Sequence, residues 1–528
     1  MSNVAREPHG ANLIAGERVV GTGASWHAIA AAGGAKLPGS FRDADDDQID
    51  RALRLADESF DSFRATPVAV LEKFLEQIAL EIEALGDALL QRAHEETGLP
   101  LARLTMERGR TMAQARMFAQ VVREGSWVDA VIDTALPDRK PQPRPDIRRK
   151  LVPLGPVVVF GASNFPLAIS VASCDTLGAF AVGCPVVVKA HPSHAGTCEM
   201  IAEAILSAGR ACGLPAGFFS LVHGKEHGVG LALVRHPLTR AVAFTGSEKA
   251  GRALFDAAAA RLEPIPVYAE MGSTNPIFVL PGALAERAEN IAEGFVQSMS
   301  LGVGQFCTQP GLLIGVRSPE FSKTAASITE KAAKIPAATM LNAGICAGFH
   351  EGVAKVRAIP GVQVLTPETS EKSSATPVVV KVGARTFAAN EALRHEVFGP
   401  FSIIIECDDL AEMLALARNL NGQLTATIHA TAAELQEHAT LVRILERKAG
   451  RIVFNGFPTG VEVCAAMHHG GPYPASTHSF FNSIGSSSLL RFVRPVAYQS
   501  FPDAALPLEL QASNPRGIVR RVDGRVDK

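Results

Sequence analysis

The sequence predicts an α/β protein built from two doubly wound domains, and three observations point there. Short β-rich runs alternate with helix-length segments: PVVVF (Pro156–Phe160), PVVVK (Pro185–Lys189), FFSLV (Phe218–Val222) and RAVAFTG (Arg240–Gly246) are each followed by room for a helix. That alternation is the signature of right-handed βαβ units in a parallel sheet. The segment Leu151–Val188 is nearly uncharged, as strands covered on both faces must be. At 528 residues the chain exceeds what one core can organise, and length alone predicts about two to four domains.

Taken in order, Asp45 to about Val122 reads as helices, with Leu71, Phe74, Ile78, Ile82 and Leu85 at helical spacing and ETGLP (Glu96–Pro100) as a break. A proline-rich polar stretch, Leu136 to Pro145, leads into DIRRKLVPL, which suits an extended arm. Helices are then expected from near Pro166, from near Gly196, and from RAVAFTG through Ala260. Past Cys307 the alternation resumes. GLLIGV, FSIIIE, LTATIHA and RIVFNG read as strands between helices such as Leu410–Leu420 and Ala433–Leu445, which makes a second α/β domain. RFVRPVAYQSF (Arg491–Phe501) is a further extended strand suited to pair with DIRRKLVPL.

Bulk properties narrow the function. A formal net charge of -2 gives no electrostatic reason to expect nucleic acid or an acidic membrane as partner, and the basic run RPDIRRK is short and local. The eight cysteines are scattered without a C-x-x-C pair, which argues against a zinc site or disulfide framework and for a reducing, cytoplasmic setting. MSNVAREPHG lacks the apolar core of a signal peptide. Leu151–Val188 is apolar enough to resemble a membrane span, but Gly155, Pro156, Pro166, Gly183 and Pro185 break it and Asp175 sits inside it.

Five stretches hold candidate chemistry. In GVGQFCTQPG (Gly302–Gly311), Cys307 is either a small buried hydrophobe or a nucleophile at a loop-to-strand corner. FGASNFPL (Phe160–Leu167) places Asn164 after a buried strand, where open α/β sheets bind ligands; its amide suits an oxyanion, but this stretch alone favours a plain turn. FTGSEKAG (Phe244–Gly251) is a strand-to-helix junction whose N–H groups suit a phosphate, with a Ser247 N-cap as the plainer reading. In YAEMGSTNP (Tyr268–Pro276), Glu270 is the single charge between Pro264 and Pro276, so it is either a base or half of a buried salt bridge. In RHEVFGPF (Arg394–Phe401), Glu396 and Phe398 share a face of an extended stretch, fitting either a ribose and a flat ring or a surface strand edge.

The ordered set Asn164, GSEKAG, Glu270, Cys307 and Glu396-x-Phe398 resembles the aldehyde dehydrogenase superfamily from about Ala56 to Val496. ETGLPLARLTMERGRT, FGASNFPLAISVAS, VVVKAHPSHAGT and HHGGPYPAST are similar to the α-ketoglutaric semialdehyde (2,5-dioxovalerate) dehydrogenases, a branch that also resembles a luminous-bacterial fatty aldehyde dehydrogenase. The resemblance implies an aldehyde dehydrogenase-like fold with a β-strand oligomerisation arm. Residues 1–135 and 154–273 would form the cofactor-binding domain, 274–478 the catalytic domain, 136–153 and 479–510 the arm, and 511–528 a C-terminal tail.

The same resemblance implies the site. Cys307 would be the nucleophile, Asn164 with the Cys307 N–H the oxyanion donors, and Glu270 the general base that recruits water to a thioester. Glycines around Cys307 are expected to let nicotinamide and substrate approach the sulfur. Cofactor contacts are expected from Phe160, Gly161, Ser163, Lys189, His191, Lys225, Gly246, Ser247, Gly272, Glu396 and Phe398. Many relatives place a glutamate three residues beyond the lysine; here Lys189-Ala190-His191-Pro192 has no carboxylate, so NADP is expected over NAD, with Lys189, His223 or Lys225 attracting the 2′-phosphate.

The expected reaction is oxidation of an aldehyde to an acid through a cysteine thiohemiacetal and thioester, with 2,5-dioxopentanoate going to 2-oxoglutarate. The alternatives are a medium- or long-chain fatty aldehyde, a CoA-acylating enzyme, or a thioesterase-type cysteine enzyme, the last requiring a histidine near Cys307 that no motif designates. Arg108 and Arg110, with Arg103 on the same helix, are candidates for the substrate carboxylate, or else a solvated helix face or interdomain salt bridge; Phe165 is expected beside the substrate. No metal is expected: His468 and His469 are adjacent, and a loop role near the substrate mouth fits them better. Ser273, where many relatives have glycine, has no assigned mechanism. A homodimer or homotetramer follows from the exposed strand edge of the arm.

Overall fold

Two seven-stranded sheets and one five-stranded sheet organise the chain in the computed structural model, which describes residues 7–367 and 373–527. Met1–Arg6 of the opening stretch lie outside the described residues. The first sheet runs Val267–Glu270, Ala241–Thr245, Val157–Phe160, Val186–Lys189, Phe219–Val222, Asn12–Ile14, Glu17–Val19. Its first five strands are parallel, and the last two add antiparallel. The chain enters this parallel set at Val157–Phe160, steps outward twice, then returns to the other side through Ala241–Thr245. That reversal leaves a crevice at the carboxyl ends of the two strands.

The second sheet runs Gln363–Val364, Val378–Gly383, Phe401–Cys407, Leu312–Val316, Ile277–Val279, Gln423–His429, Ala449–Phe454, with all but the first strand parallel. The segments entering its strands contain Asn275, Cys307, Glu396 and Gln423. The carboxyl edge of one sheet therefore faces the amino edge of the other, and the candidate residues lie on the two facing edges.

The run Leu151–Val188 is core as expected: Val157, Val158 and Val159 are fully buried, as are Val186, Val187 and Val188, with Leu177 and Phe180 of the helix Cys174–Val182 beside them. Among the described residues no helix is long and apolar enough to cross a membrane. The opening helices are Asp46–Arg64, Val68–Ala84, Gly86–Thr97 and Leu101–Glu124. Phe74 locks the second of these to the first sheet, its ring 5.4 Å from that of Phe180 and 5.3 Å from that of Phe218.

Ile147–Pro153 pairs antiparallel with Val493–Gln499, Val496 opposite Lys150, as the two extended segments predicted. The expected tail is more than a tail. Arg520–Val522 and Arg525–Asp527 complete the arm sheet beside Val131–Asp133, and Asp523 accepts from the N–H and hydroxyl of Thr134.

Three local expectations fail. No helix begins near Pro166: residues 166–172 are turns and the helix starts at Cys174. The reason is competition for the backbone. Glu107 Oε1 accepts from the N–H groups of Leu167 and Ala168 at 2.8 and 3.0 Å, and Gln114 donates to the Ala168 carbonyl at 3.1 Å. The expected helix Ala433–Leu445 is broken at His438 into Ala432–Glu437 and Ala439–Leu445. Residues 396–398 are irregular, so the shared-face argument for Glu396 and Phe398 does not apply.

The break at ETGLP has a structural use. Glu96, buried, accepts from the N–H groups of Gly196 and Thr197 and the Thr197 hydroxyl at the start of the helix Ala195–Ala211, while pairing with buried Arg92 at 2.8 Å. An anion at a helix N-terminus is favourable, and this one fixes the segment that follows Lys189. Glu96→Ala strands the Arg92 charge, and a loss of about 3–5 kcal/mol is expected as a lowered urea midpoint; an unchanged midpoint would remove the pair from the structural account.

Candidate active site

Cys307 sits at the end of an unusual run of backbone. Gly302, Val303 and Gly304 all adopt left-handed φ values of +57°, +59° and +63°, which turns the chain sharply ahead of the thiol. The space at these glycines is filled by protein, which corrects the expectation that it admits ligands. A side-chain carbon at Gly302 would meet Arg103 Nη1 at 2.7 Å, and one at Gly304 would meet the backbone of Gly399 at 2.4 Å.

Beyond the thiol, Asn275 holds the turn by donating to the carbonyls of Cys307 and Gln309, both at 2.8 Å. Asn275 itself has φ of +43°, a conformation asparagine tolerates better than most residues. Gln423 Oε1 accepts from the Asn275 and Thr274 N–H groups and from the Ser273 hydroxyl, and Ser273 Oγ accepts from the Leu424 N–H. Ser273 therefore ties the loop after Glu270 to the start of a second-sheet strand.

Glu270 ends its strand of the first sheet and is buried. The sequence left it as either a base or half of a buried salt bridge; the structure pairs it with a histidine. His469 Nε2 lies 3.0 Å from Glu270 Oε1 and 3.4 Å from Cys307 Sγ, and the Ser483 hydroxyl donates to Glu270 Oε2. This corrects two sequence expectations. His469 is fully buried at the centre of the site, away from any loop mouth, and Cys307 does have a histidine beside it. Asn482 positions that histidine, accepting from the His469 and Ile484 N–H groups and donating to the Met467 carbonyl. His469 Nδ1 is buried without a hydrogen-bond partner.

Burial pushes the Glu270 carboxyl up, but the His469 ring, the Ser483 hydroxyl and the Cys307 thiol outweigh that and hold it below the ordinary carboxylate range. The thiol moves oppositely: burial, then the Glu270 and Glu396 carboxylates, raise Cys307 well above an ordinary cysteine. The resting site is a carboxylate beside a protonated thiol. The ligating atoms of Glu270, Cys307 and His469 lie within 4.8 Å of one another, a grouping that the His468–His469 pair in sequence did not foreshadow.

Asn164 lies in the loop after Phe160, buried, and donates to the Gln305 carbonyl at 3.0 Å. Arg103 Nη2 donates to the Asn164 carbonyl at 2.6 Å and its guanidinium lies over the rings of Phe165 and Phe306. Phe165 meets Phe306 edge to face at 5.3 Å. Arg110 also lies over Phe165, whereas Arg108 donates to the Gly86 carbonyl at 2.9 Å and is no part of this cluster.

The expected cofactor residues line the facing edges. Phe160 closes its strand with Gly161 and Ser163 in the loop after it; Gly246 and Ser247 precede the helix Glu248–Ala259, Ser247 capping it through the Ala250 N–H. Glu396 folds against Gly272, where a side-chain carbon would lie 2.7 Å from Glu396 Oε2, and burial raises its carboxyl to about 8. Phe398 packs on the first-sheet core. Lys189 ends its strand, lowered by burial to about 8 despite the nearby Asp43. His191 caps the next turn through the Ser193 N–H and stacks on His194.

His223 is corrected: fully buried and lowered by that burial to about 3, it has no charge to offer a phosphate. Lys225 is exposed, and its N–H donates to Asp43, a carboxylate the sequence reading did not place here. Free N–H groups at a helix start, a lysine and a carboxyl against a glycine are the donor set a dinucleotide requires, so these residues fit one.

Residues 27–479 match the sequence profile of the Aldehyde dehydrogenase family. The chain belongs to that family. It is 49% identical over 521 residues to alpha-ketoglutaric semialdehyde dehydrogenase 2 of Azospirillum brasilense, covering 98% of this chain and 99% of that protein. With alpha-ketoglutaric semialdehyde dehydrogenase of Acinetobacter baylyi it shares 43% identity over 521 residues, again 98% of this chain and 99% of the other. The fold matches the crystal structure of NADP-dependent glyceraldehyde-3-phosphate dehydrogenase from Bacillus halodurans complexed with NADP at a TM-score of 0.79 and 19% identity, covering 93% of this chain and 99% of that one. The protein is thus an NAD(P)-dependent aldehyde dehydrogenase.

Because the Cys307 thiol is held protonated, its alkylation by iodoacetamide in the ligand-free enzyme is expected to be slower at pH 7.5 than that of exposed Cys464, and to accelerate about tenfold per pH unit through pH 9. A rate already level near pH 7 would contradict the assigned protonation state.

Proposed function

We propose that the protein oxidises 2,5-dioxopentanoate to 2-oxoglutarate, using NADP and a covalent thioester on Cys307. The observation behind the mechanism is the contact of one imidazole nitrogen, His469 Nε2, with both the Cys307 sulfur and the Glu270 carboxylate. The substrate assignment draws on the names of the two relatives that match the chain end to end.

The thiol proton passes to the Glu270 carboxylate that Cys307 hydrogen-bonds, and His469 Nε2–H, donating to Glu270 Oε1, orients that carboxylate. The thiolate then forms a C–S bond to the aldehyde carbon. Of the two Asn164 amide hydrogens one is taken by the Gln305 carbonyl; the other, with the Cys307 N–H, receives the oxyanion. The bound nicotinamide supplies the acceptor for the hydride. Glu270, its first proton passed to solvent, next takes a proton from water; the resulting hydroxide adds to the thioester carbon, the C–S bond breaks to release the acid, and the thiolate recovers the proton from Glu270.

A histidine beside the cysteine is what a thioesterase-type reading required. Here it orients the Glu270 carboxylate that serves both halves of the cycle, and the cofactor-binding residues on the facing edge argue for oxidation as the whole. NADP is favoured because Pro192 stands where a ribose-binding carboxylate would repel a 2′-phosphate, while Lys189 and Lys225 remain to attract one. The oxygens of Asp43 are already engaged by Trp26 Nε1 and the N–H groups of Lys225 and Glu226. Arg108 is withdrawn as a substrate contact; Arg110 and Phe165 are kept. A homodimer or homotetramer working in the cytoplasm completes the reading, with Val493–Gln499 as the exposed edge of the arm sheet.

Steady-state oxidation of 2,5-dioxopentanoate is expected to show a higher kcat/KM with NADP than with NAD, and Asn164→Ala to lower kcat about a hundredfold while Cys307 alkylation persists. Equal or better use of NAD overturns the cofactor assignment, and a kcat unchanged in the variant overturns the oxyanion role.

A further inference from the structure

The first turns of the helix Leu101–Glu124 present two arginines whose hydrogen-bonding capacity the protein leaves unfilled. Arg103 and Arg110 lie two turns apart on one face, with Glu107 between them. Both guanidiniums cover the same ring, Phe165, at 5.0 and 5.6 Å from its centre, and Arg103 also covers Phe306 at 4.7 Å. Phe165 follows Asn164 and Phe306 precedes Cys307, so the arginines stand directly behind the reacting centre.

Arg103 Nη1 and Arg110 Nη2 are both buried with no hydrogen-bond partner. A buried guanidinium N–H without an acceptor is costly, and proteins rarely leave two on one ring. Glu107 does not answer them. Its Oε1 is committed to the Leu167 and Ala168 N–H groups; its Oε2 is itself buried without a hydrogen bond, so its charge acts on both arginines without filling their N–H groups. Phe165 belongs to an apolar cluster with Ile169 and Ile484, against which Val461 and Val463 pack. A third arginine, Arg451, spends both terminal nitrogens on the carbonyls of Gly460 and Pro458.

We propose that Arg103 and Arg110 together receive the carboxylate at the far end of the aldehyde substrate, clamping it against Phe165 while the aldehyde carbon faces Cys307. This rests on the reading of the substrate as a 2-oxo acid semialdehyde and assigns the residues that select it. A planar carboxylate fits forked donors, and a desolvated aromatic floor strengthens the charge-assisted bonds. The roles differ within the pair. Arg103 also holds the Asn164 carbonyl and fills the space at Gly302, so it positions the oxyanion loop as well; Arg110 is bound within the protein only through Gln114, at 3.3 Å.

The test compares 2,5-dioxopentanoate with pentanal, an uncharged five-carbon aldehyde, in wild type, Arg110→Met and Arg110→Lys. The ratio of kcat/KM for the acid over that for pentanal is expected to fall about tenfold to a hundredfold in Arg110→Met, chiefly through KM for the acid, and to recover in part in Arg110→Lys. Inhibition of pentanal oxidation by 2-oxoglutarate should weaken in parallel, and Arg110→Lys supplies both readings if the methionine variant does not fold. Wild type without preference for the acid would sink the substrate reading and the clamp with it. Wild-type preference that survives unchanged in both variants, or a proportional loss on both aldehydes, overturns the clamp and leaves the substrate reading standing.

Discussion

The structure depends on keeping one carboxylate, Glu270, out of water without neutralising it. Burial alone would protonate it, and only its contacts with His469, Ser483 and Cys307 hold it charged. A strand end of the first sheet delivers the carboxylate, an irregular loop delivers the histidine, and a tight turn ahead of a second-sheet strand delivers the thiol. Each segment is then fixed by further polar groups: Asn482 for the histidine, Asn275 with Gln423 for the thiol, Arg103 for Asn164. Asn482, Asn275 and Gln423 are buried and hydrogen-bonded, the condition under which a polar network rigidifies a site.

Opposed sheet edges explain why such an arrangement is attainable. A doubly wound sheet offers ligands its carboxyl edge, where loops are free of ladder hydrogen bonds. Setting the amino edge of a second sheet across from it supplies a second set of loops on rigid supports. The residues proposed to hold the cofactor fall on both sides, Lys189 and Gly246 on one, Glu396 on the other, and the thiol lies between. The arm sheet, with its C-terminal strands, stands apart from this chemistry.

Much of this was legible in the chain. The apolar strands announced the parallel sheets, because strands buried on both faces leave continuous Val-rich runs. Cys307, Glu270 and Asn164 were singled out by the family resemblance of their ordered set, each segment alone having a plainer reading, and the structure brings Cys307 and Glu270 to one histidine. His469 was not, since its partners are supplied by strands far away in sequence and its neighbour His468 invited a different reading. Asn275 was hidden within STNP, where a proline makes an asparagine look like punctuation. The turn at residues 166–172 was missed because side chains from another helix capture its backbone, a competition no local propensity reports. The arginine pair was half visible: the sequence named 103, 108 and 110 together and favoured 108 with 110, and only the packing on Phe165 separates 103 and 110 from 108.

The central claim is that Glu270 serves water addition to a thioester on Cys307. A rapid-mixing experiment with Glu270→Gln, aldehyde and NADP tests it most directly, followed by intact mass measurement of the quenched protein. The account predicts a burst of about one reduced nicotinamide per site, then near arrest, with the acyl group found on the peptide holding Cys307. Unimpaired steady turnover, or arrest without burst or adduct, would contradict it.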